Sequence, residues 1–318
     1  MVSEFEFIDN IKSRYGLGKI GDDCAVLPKD AETDLLLTAD MLVEDIDFRL
    51  EWSMPEFLGH KALAVSLSDI AAVGGTPKWA MLSIAVAENL WKTDFLDRFY
   101  DGWFALANKY GVELVGGDIS RSPEKLVIDS IVGGEVTKGH AILRSTAKPR
   151  DAIYVSGTLG GAAGGLRLLE EGSHYVENTD NSIKNLLLKQ LEPQPQLELA
   201  NILQIRNISS AMLDVSDGLS SDLVHLCNQS NVGAKIYAEK LPINPDLTFH
   251  FPSDRSLQLA IDGGEDFELL FSVGEKNISL LDSLDVTQIG EVTANAGVIE
   301  LIDHKKTTIL EPKGYRHF

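Results

Sequence analysis

The feature that most constrains the fold is an apolar helical segment that contains one acid. Residues 61–73 read Lys-Ala-Leu-Ala-Val-Ser-Leu-Ser-Asp-Ile-Ala-Ala-Val, and this spacing predicts a helix around which the rest of the chain is organised. Asp69 shares a face of that helix with Ala62, Val65 and Ala72, which are small or apolar. An ionised carboxylate on such a face is costly unless something compensates its charge.

Asp69 is one of several acids that stand beside glycines or small residues next to apolar runs. The others are Asp22-Asp23, Asp40, Asp118, Asp214, Asp217 and Glu265-Asp266. Taken alone, Asp69 could be capped by Ser66 or Ser68 or lie at the rim of the helix. Carboxylates gathered closely cannot all stay ionised without metal ions between them. We therefore expect these acids to converge on Mg²⁺ ions and a polyphosphate.

Some of these acids are predicted to lie where strands end, because side chains there emerge into a crevice. Asp40 is expected to end a strand, Asp118 to follow the strand 113–115 after two glycines, and Asp214 to end an apolar strand. Glycines at such a place let backbone N–H groups approach phosphate oxygens. Arg121 and Arg144 are nearby cations that could take a phosphate, although surface salt bridges are an equally ordinary explanation.

Two motifs also have simple structural explanations. Asp217 could be the N-cap of a helix over 218–231, a reading as probable as a functional one. The glycine-rich tract 157–165 lacks the Gly-Lys-Ser/Thr ending of a P-loop, and close packing of a helix on a strand explains it better. Neither motif alone therefore identifies a phosphate site.

Charge and cysteine content restrict the function. The 28 basic and 48 acidic residues give a net charge of −20, which argues against nucleic acid and anionic membranes as main partners. No apolar run reaches about 18 residues, so we expect no membrane span. Cys24 and Cys227 form no CxxC motif, which fits a reducing, cytoplasmic location.

The length of 318 residues predicts two domains. Strands and helices alternate in both halves, which indicates layered α/β architecture. The stretch 137–151 is basic and rich in turn-forming residues. We therefore predict an N-terminal domain over 1–137, a linker over 138–148 and a C-terminal domain over 149–318.

Taken together, the motifs resemble the thiamine-monophosphate kinases, a family in the superfamily of aminoimidazole ribonucleotide synthetase and selenophosphate synthetase. The resemblance runs through nearly the whole chain, and the order and spacing of the motifs make it specific. The matching segments are 21–26, 38–44, 61–72, 116–121, 143–145, 214–219, 263–269 and 313–318.

The resemblance implies an N-terminal mixed sheet that pairs with that of a second subunit in a homodimer. A C-terminal α/β sandwich would complete the cleft. It also implies transfer of the ATP γ-phosphoryl group to thiamine monophosphate, giving thiamine diphosphate and ADP. Because such transfer needs positioning and charge neutralisation, we expect direct in-line transfer with several Mg²⁺ ions and no phosphoenzyme.

Residue by residue, the resemblance implies four overlapping sets. Mg²⁺ ligands would be Asp23, Thr38, Ala39, Asp40, Asp69, Asp118, Asp214 and Asp217. ATP contacts would be Tyr100, Gly117, Asp118, Arg144 and Ser216. Thiamine monophosphate would face Asp47, Glu265 and Tyr315, and the catalytic residues would be Asp118, Arg144 and Asp217.

Two positions depart from the family pattern. Asp47 stands where the family usually has a substrate-side histidine, and an acid there would favour the thiazolium cation but repel the phosphate. Ala39 replaces a hydroxyl residue that is often among the metal ligands. One metal would therefore rely on the backbone carbonyl of Ala39 or on water.

Two alternative functions stay open at this point. One is another ATP-using enzyme of the superfamily, such as aminoimidazole ribonucleotide synthetase. The other is a scaffold that binds ATP–Mg²⁺ without turnover. ADP release that depends on thiamine monophosphate separates the kinase from both.

Overall fold

The computed structural model describes residues 4–176, 179–304 and 306–317, which form two sheets and the helices packed on them. The helices are α1 (Glu4–Tyr15), α2 (Pro55–Ala72), α3 (Glu88–Trp91), α4 (Phe95–Tyr110), α5 (Gly161–Glu170), α6 (Asn181–Leu191), α7 (Leu197–Ile205), α8 (Leu219–Ser230), α9 (Leu247–His250) and α10 (Ser253–Asp262). The strands are β1 (Ala25–Pro28), β2 (Thr33–Val43), β3 (Thr76–Val86), β4 (Glu113–Arg121), β5 (Val127–Thr137), β6 (Ala152–Ser156), β7 (Ser209–Asp214), β8 (Gly233–Tyr237), β9 (Leu269–Val273), β10 (Val286–Thr293), β11 (Ile299–Asp303) and β12 (Lys306–Ile309). Short 3₁₀ turns lie at Arg144–Thr146, Ala238–Lys240 and Glu275–Leu281.

The first sheet has the strand order β1-β2-β5-β3-β4. Its pairs are antiparallel except β3 with β4, which run parallel, so the sheet is mixed as predicted. One row of residues paired across neighbouring strands runs from Asp40 through Ser130 and Leu82 to Gly117. Because neighbouring strands lie about 4.8 Å apart, Asp40 and Gly117 are about 14 Å apart along this row.

The second sheet has the order β12-β11-β8-β10-β6-β9-β7. It is antiparallel except where β8 and β11 run parallel. Helices α5, α6, α8 and α10 pack together in this half of the chain. The predicted layered α/β architecture is therefore confirmed in both halves.

Helix α2 lies at the centre of the molecule. Every residue from Phe57 to Ala72 is buried except Asp69, which is half-buried. The helix contacts β2, β3 and β5 of the first sheet and packs against α4 on another side. It also contacts α7 and β7 of the second half, so one continuous core joins the halves. Burial on all sides explains why apolar residues occur on every face of this helix.

Close approach of α2 and α4 depends on glycine. A Cβ atom at Gly102 would lie 1.9 Å from the carbonyl oxygen of Glu56, and one at Gly59 would lie 1.9 Å from that of Phe99. Gly102→Ala is therefore expected to force the helices apart and lower the free energy of unfolding by about 3 kcal/mol. Urea denaturation measures this loss, and Gly18→Ala is the control because its added Cβ would meet nothing within 4 Å. Equal stability of the two variants would contradict the prediction.

Two local expectations are wrong. Asp40 lies inside β2, because pairing with β5 continues to Val43. Asp118 and the two glycines before it lie inside β4, because pairing with β3 continues to Arg121. Gly117 is required there, since its φ is +150° and a Cβ would lie 1.8 Å from the Leu82 carbonyl oxygen.

Asp217 is not the N-cap of α8. Gly218 occupies that position, and its N–H donates to the carboxylate of Asp222 one turn later, at 2.9 Å. Within the described residues, no helix is both long enough and apolar enough to cross a bilayer.

Candidate active site

Three carboxylates from distant parts of the chain meet beside α2. Asp23 precedes β1, Asp69 lies on the last turn-and-a-half of α2, and Asp214 ends β7. Each offers an oxygen atom, and these three atoms all lie within 4.8 Å of one another. The expectation that Asp214 ends a strand is confirmed. Hard carboxylate oxygens at this spacing are the donor set that Mg²⁺ prefers.

Hydroxyl groups orient the acids of this site. Thr38 on β2 donates to Asp69. Ser66 donates to Asp40 at 2.7 Å, and Ser68 donates to Asp214 at 2.5 Å. The alternative in which Ser66 or Ser68 caps Asp69 is therefore wrong. The two serines of α2 instead hold the neighbouring acids of β2 and β7, which sets Asp40 beside the three-carboxylate group.

Arg144 supplies the fixed positive charge of the site. Its guanidinium donates to both carboxylate oxygens of Asp23, through Nε at 3.1 Å and through Nη2. Its backbone N–H donates to Asp22 at 3.1 Å. The Asp23 side chain is only 1% exposed. A bidentate arginine pair of this kind is strong and directional.

One guanidinium does not neutralise this many acids. Burial and the charge of Asp23 raise the pKa of Asp214 to about 7. Burial and the charges of Asp40 and Asp214 raise the pKa of Asp69 well above its usual range. Burial chiefly raises the pKa of Asp22 and of Asp40 to about 6 each. Without added cations the acids therefore hold protons at pH values where free aspartate is ionised.

The metal-free protein should lose stability as the pH rises from 6.5 to 8.5. Acids with a raised pKa bind more protons folded than unfolded, so their contribution is lost as the pH passes the folded pKa. Burial lowers the pKa of His60 and of His225, which has the opposite effect on stability. That effect is confined to pH values below about 6.5, where a free histidine becomes protonated. In EDTA we expect the unfolding temperature to fall by about 5 °C or more, and Mg²⁺ to reduce the fall. Thermal scans at each pH test this. An unfolding temperature in EDTA that stays constant or rises with pH would contradict the prediction.

A second group of charged residues lies about two turns nearer the start of α2. Lys61 donates to Glu265 at 2.7 Å, and Gln190 on α6 donates to the other oxygen of Glu265. The N–H of Glu265 donates to the carbonyl of Ser216 at 2.7 Å. Burial raises the pKa of Asp47, and the charges of Glu265 and Lys61 also act on it. The predicted substrate residues Asp47 and Glu265 are thus brought together.

The C-terminal segment reaches the same group. The N–H of Tyr315 donates to the carbonyl of Asp217 at 3.0 Å, and that of Gly314 donates to Ser221 at 3.1 Å. Burial raises the pKa of Tyr315, and the charges of Asp47 and Glu265 raise it further. The Tyr315 side chain is half exposed. Tyr315 therefore lies beside Asp217 with part of its ring accessible.

Tyr100, Gly117 and Asp118 lie together in a different place, lining a groove along β4. The register puts Asp118 beside Ser83, on the face of the first sheet opposite α2. Ala39 is exposed on that same open face. A single chain therefore does not bring Asp118 to the acids around Asp69.

Several residues of the site carry no strong sequence signal. Ser66 and Ser68 stand in the α2 motif, but their partners come from strands 26 and 146 residues away. Gln190 lies in no recognised motif. Asp222 is buried, and its pKa is raised well above the usual range by burial and by Asp217. Only its position one turn into α8, after the 214–219 motif, could have suggested it.

The glycine-rich tract does not form a phosphate cradle. The carboxylate of Asp266 accepts hydrogen bonds from the N–H groups of Gly160 and Ala162, at 2.5 and 3.0 Å, where α5 begins. Gly165 permits close packing, since a Cβ there would lie 2.1 Å from the Leu186 carbonyl oxygen. An internal carboxylate already takes the donors that a phosphate would use.

Comparison with known proteins finds relatives along nearly the whole chain. The profile of the AIR synthase related protein, N-terminal domain, matches residues 21–143, and that of the corresponding C-terminal domain matches residues 148–302. The thiamine-monophosphate kinase of Buchnera aphidicola subsp. Acyrthosiphon pisum is 40% identical, covering 94% of this chain and 92% of its own. That of Bacillus subtilis is 36% identical, covering 100% of both chains. A solved structure described as AaThiL complexed with AMPPCP and TMP superposes with a TM-score of 0.89, at 34% identity, over 100% of this chain and 97% of that one.

Proposed function

Because this chain belongs to the thiamine-monophosphate kinases of the AIR synthase related family, we propose that it transfers the γ-phosphoryl group of ATP to thiamine monophosphate. The products are thiamine diphosphate and ADP. The observation that carries this proposal is the group of Asp23, Asp69 and Asp214 with Arg144 bound to Asp23. Such a group suits the joining of two phosphorylated anions, which must be held end to end.

The donor set fits Mg²⁺. Asp23, Asp69 and Asp214 would hold it, with Asp40 and Thr38 adjacent, and Asp217 is proposed as a further ligand. Bound there, Mg²⁺ would supply charge neutralisation for the phosphate oxygens. Arg144 adds a fixed positive charge that keeps its orientation through Asp23. Ser216, beside Asp217, is proposed to contact ATP.

The chain's own residues support direct transfer. The acids of the metal group accept hydrogen bonds from Thr38, Ser66, Ser68 and Arg144, and we assign them to the metal and not to nucleophilic attack. Phosphoryl transfer of this kind depends on positioning and electrostatic stabilisation. We therefore propose in-line attack by the substrate phosphate, and a stable phospho-aspartate during turnover would contradict it.

The two free, buried thiols are consistent with a cytoplasmic location.

The activity is tested by ADP release in the presence of Mg²⁺. We expect release to require thiamine monophosphate, with formation of one thiamine diphosphate per ADP. ADP release without that dependence would count against the kinase. Binding of ATP without any turnover would favour a scaffold.

We also propose a homodimer in which the open face of the first sheet is covered by a second copy. Met41 and Met81 on that face are 60% and 39% exposed, and Val115 on the edge strand β4 is 54% exposed. Exposed apolar side chains grouped in this way commonly mark an interface. Asp118 lies on the same face and Asp23 stands just before the edge strand β1, so we propose that the dimer brings Asp118 of one copy to the metal group of the other at that edge of the sheet.

Subunit mixing tests the shared site. Asp69→Asn and Asp118→Asn are each expected to be inactive, but co-expressed chains form some dimers that hold one intact site. Random pairing makes half of the dimers mixed, and each mixed dimer holds one intact site out of two. We therefore expect about one quarter of wild-type activity. If activity does not recover, Asp118 and Asp69 act in a site formed by a single chain. The control is the two purified variants mixed under conditions without subunit exchange.

A further inference from the structure

Helix α8 connects two separate parts of the candidate site. It packs against the 3₁₀ turn that carries Arg144, and it begins directly after the loop that holds Ser216 and Asp217. Arg144 and Ser216 are proposed to contact ATP, and Asp217 is proposed to hold its metal. The helix therefore links groups that would act on the same nucleotide.

The backbone of Arg144 is fixed at the C-terminal end of α8. Ser230 is the last residue of the helix, and its hydroxyl group donates to the carbonyl of Arg144 at 2.6 Å. The same hydroxyl oxygen accepts the N–H of Ala147 at 3.0 Å. On the other side, the N–H of Arg144 donates to Asp22 at 3.1 Å. Both backbone groups of Arg144 are therefore held, and Ser230 closes the turn from which the guanidinium extends.

The side chain of Arg144 extends from this anchor toward the other end of α8. Burial and the charge of Arg144 lower the pKa of His225 to about 4, and His225 lies five residues before Ser230, about 7.5 Å along the axis. Burial raises the pKa of Asp217, and the charge of Arg144 opposes that rise. Because such effects weaken with distance, the guanidinium lies near both residues. The anchor at Ser230 therefore decides where along the helix the guanidinium acts.

The loop of Ser216 and Asp217 is fixed at the N-terminal end of α8. The buried carboxylate of Asp222 accepts the N–H of Gly218 at 2.9 Å. The carbonyl of Asp217 belongs to the same peptide unit and accepts the N–H of Tyr315 at 3.0 Å. Both sides of this peptide unit are therefore held, which fixes the backbone from which the Asp217 side chain extends.

We propose that Ser230 and Asp222 are positioning residues, which hold Arg144 and the loop of Ser216 and Asp217 at a fixed separation along α8. The proposal rests on the proposed function, because it requires both groups to bind the same nucleotide. Ser230 and Asp222 are eight residues apart, about 12 Å along the helix axis. A helix between the two anchors keeps this separation when ATP binds, so the charged groups need little reorganisation during transfer.

The test is a double-mutant cycle between Ser230 and Arg144. Ser230→Ala removes both hydrogen bonds of the hydroxyl group and is expected to lower kcat/KM for ATP about tenfold, with the KM for thiamine monophosphate unchanged within about twofold. In the Arg144→Gln background the same change should cost less than about twofold, because no guanidinium remains to be positioned. Ser230→Thr keeps the hydroxyl group and should restore most of the loss.

Calorimetry with a non-hydrolysable ATP analogue and Mg²⁺ gives the same cycle without turnover. Ser230→Ala should weaken binding of the analogue about threefold in the wild-type background and leave it unchanged in Arg144→Gln. Ser209→Ala is the matched control and should keep wild-type activity and binding. The Ser209 hydroxyl group is also half-buried, and it is hydrogen-bonded to the carbonyl groups of Ala211 and Ser272, at 2.9 and 3.3 Å.

Asp222 is tested at the other end of the helix. Asp222→Leu removes the acceptor of the Gly218 N–H and is expected to weaken Mg²⁺-dependent binding of the analogue at least about tenfold. Asp222→Asn retains an oxygen that can accept this hydrogen bond, and it should recover most of the binding that the leucine variant loses. If Asp222→Leu does not fold, Asp222→Asn is compared with wild type directly, and the Ser230 cycle still tests the proposal.

The possible outcomes separate the two levels of the proposal. Wild-type activity and binding in Ser230→Ala, or a loss that is as large in the Arg144→Gln background as in wild type, would overturn the positioning role while the kinase activity stands. Binding as weak in Asp222→Asn as in Asp222→Leu would overturn it as well. If the wild-type protein releases no ADP that depends on thiamine monophosphate, the proposed function fails, and the calorimetric cycle then decides the positioning role by itself.

Discussion

Replacing Asp214 by Asn is expected to reduce kcat at least about a thousandfold, a rise of about 4 kcal/mol in the activation barrier, while stabilising the metal-free protein. Asn keeps the shape of the side chain and can still accept the hydrogen bond from Ser68. It removes one charge from a buried group in which Asp23 and burial raise the pKa of Asp214 to about 7. The same charge is needed to hold a cation. Activity and metal-free stability should therefore change in opposite directions.

Thermal scans in EDTA and in Mg²⁺ measure the expected change in the stability of the metal-free protein. Asp214→Asn should unfold at a higher temperature than wild type in EDTA at pH 8 and gain little from Mg²⁺. Asp303→Asn is the control, because it makes the same charge change at an exposed position. A variant that retains activity, or that is less stable than wild type in EDTA, would show that the acids are not a cation site.

Replacing Arg144 by Gln should also abolish most activity, about 100-fold or more in kcat/KM, but with the opposite effect on stability. The guanidinium is the cation bound to Asp23, whose side chain is 1% exposed. The charges of Asp23 and Asp22 outweigh burial and raise the pKa of Arg144, which shows how strongly the site favours a cation there. Removing one partner of a buried pair costs about 3 kcal/mol. The metal-free variant should therefore unfold more easily than wild type.

Added Mg²⁺ distinguishes this from a general packing defect. It should recover more stability in Arg144→Gln than in wild type, because the acids have lost their fixed cation. Arg144→Lys should be intermediate, since it keeps the charge but not the two-pronged contact with Asp23. Equal stability of Arg144→Gln and wild type in EDTA would refute the electrostatic account.

Much of the fold was predictable because local patterns and tertiary structure agree. The apolar run around Asp69 predicted a helix around which the chain is organised, and α2 lies at the centre, buried on all sides. Strand ends were less predictable. Asp40 and Asp118 lie inside β2 and β4, because ladder pairing with β5 and β3 extends those strands beyond their apolar centres. Propensity places a strand, whereas its ends depend on partners remote in sequence.

The sequence by itself determined the kinds of residue available: acids beside apolar runs, one arginine near a turn, and motifs in an order that indicated the family. It also indicated that these acids would require cations if the fold gathered them, because burial and mutual repulsion both disfavour ionised carboxylates. Only the tertiary structure decided which acids meet. Asp23, Asp69 and Asp214 come together, while Asp118 lies on the opposite face of the first sheet. The reason is that strand order and register set distances between residues far apart in the chain.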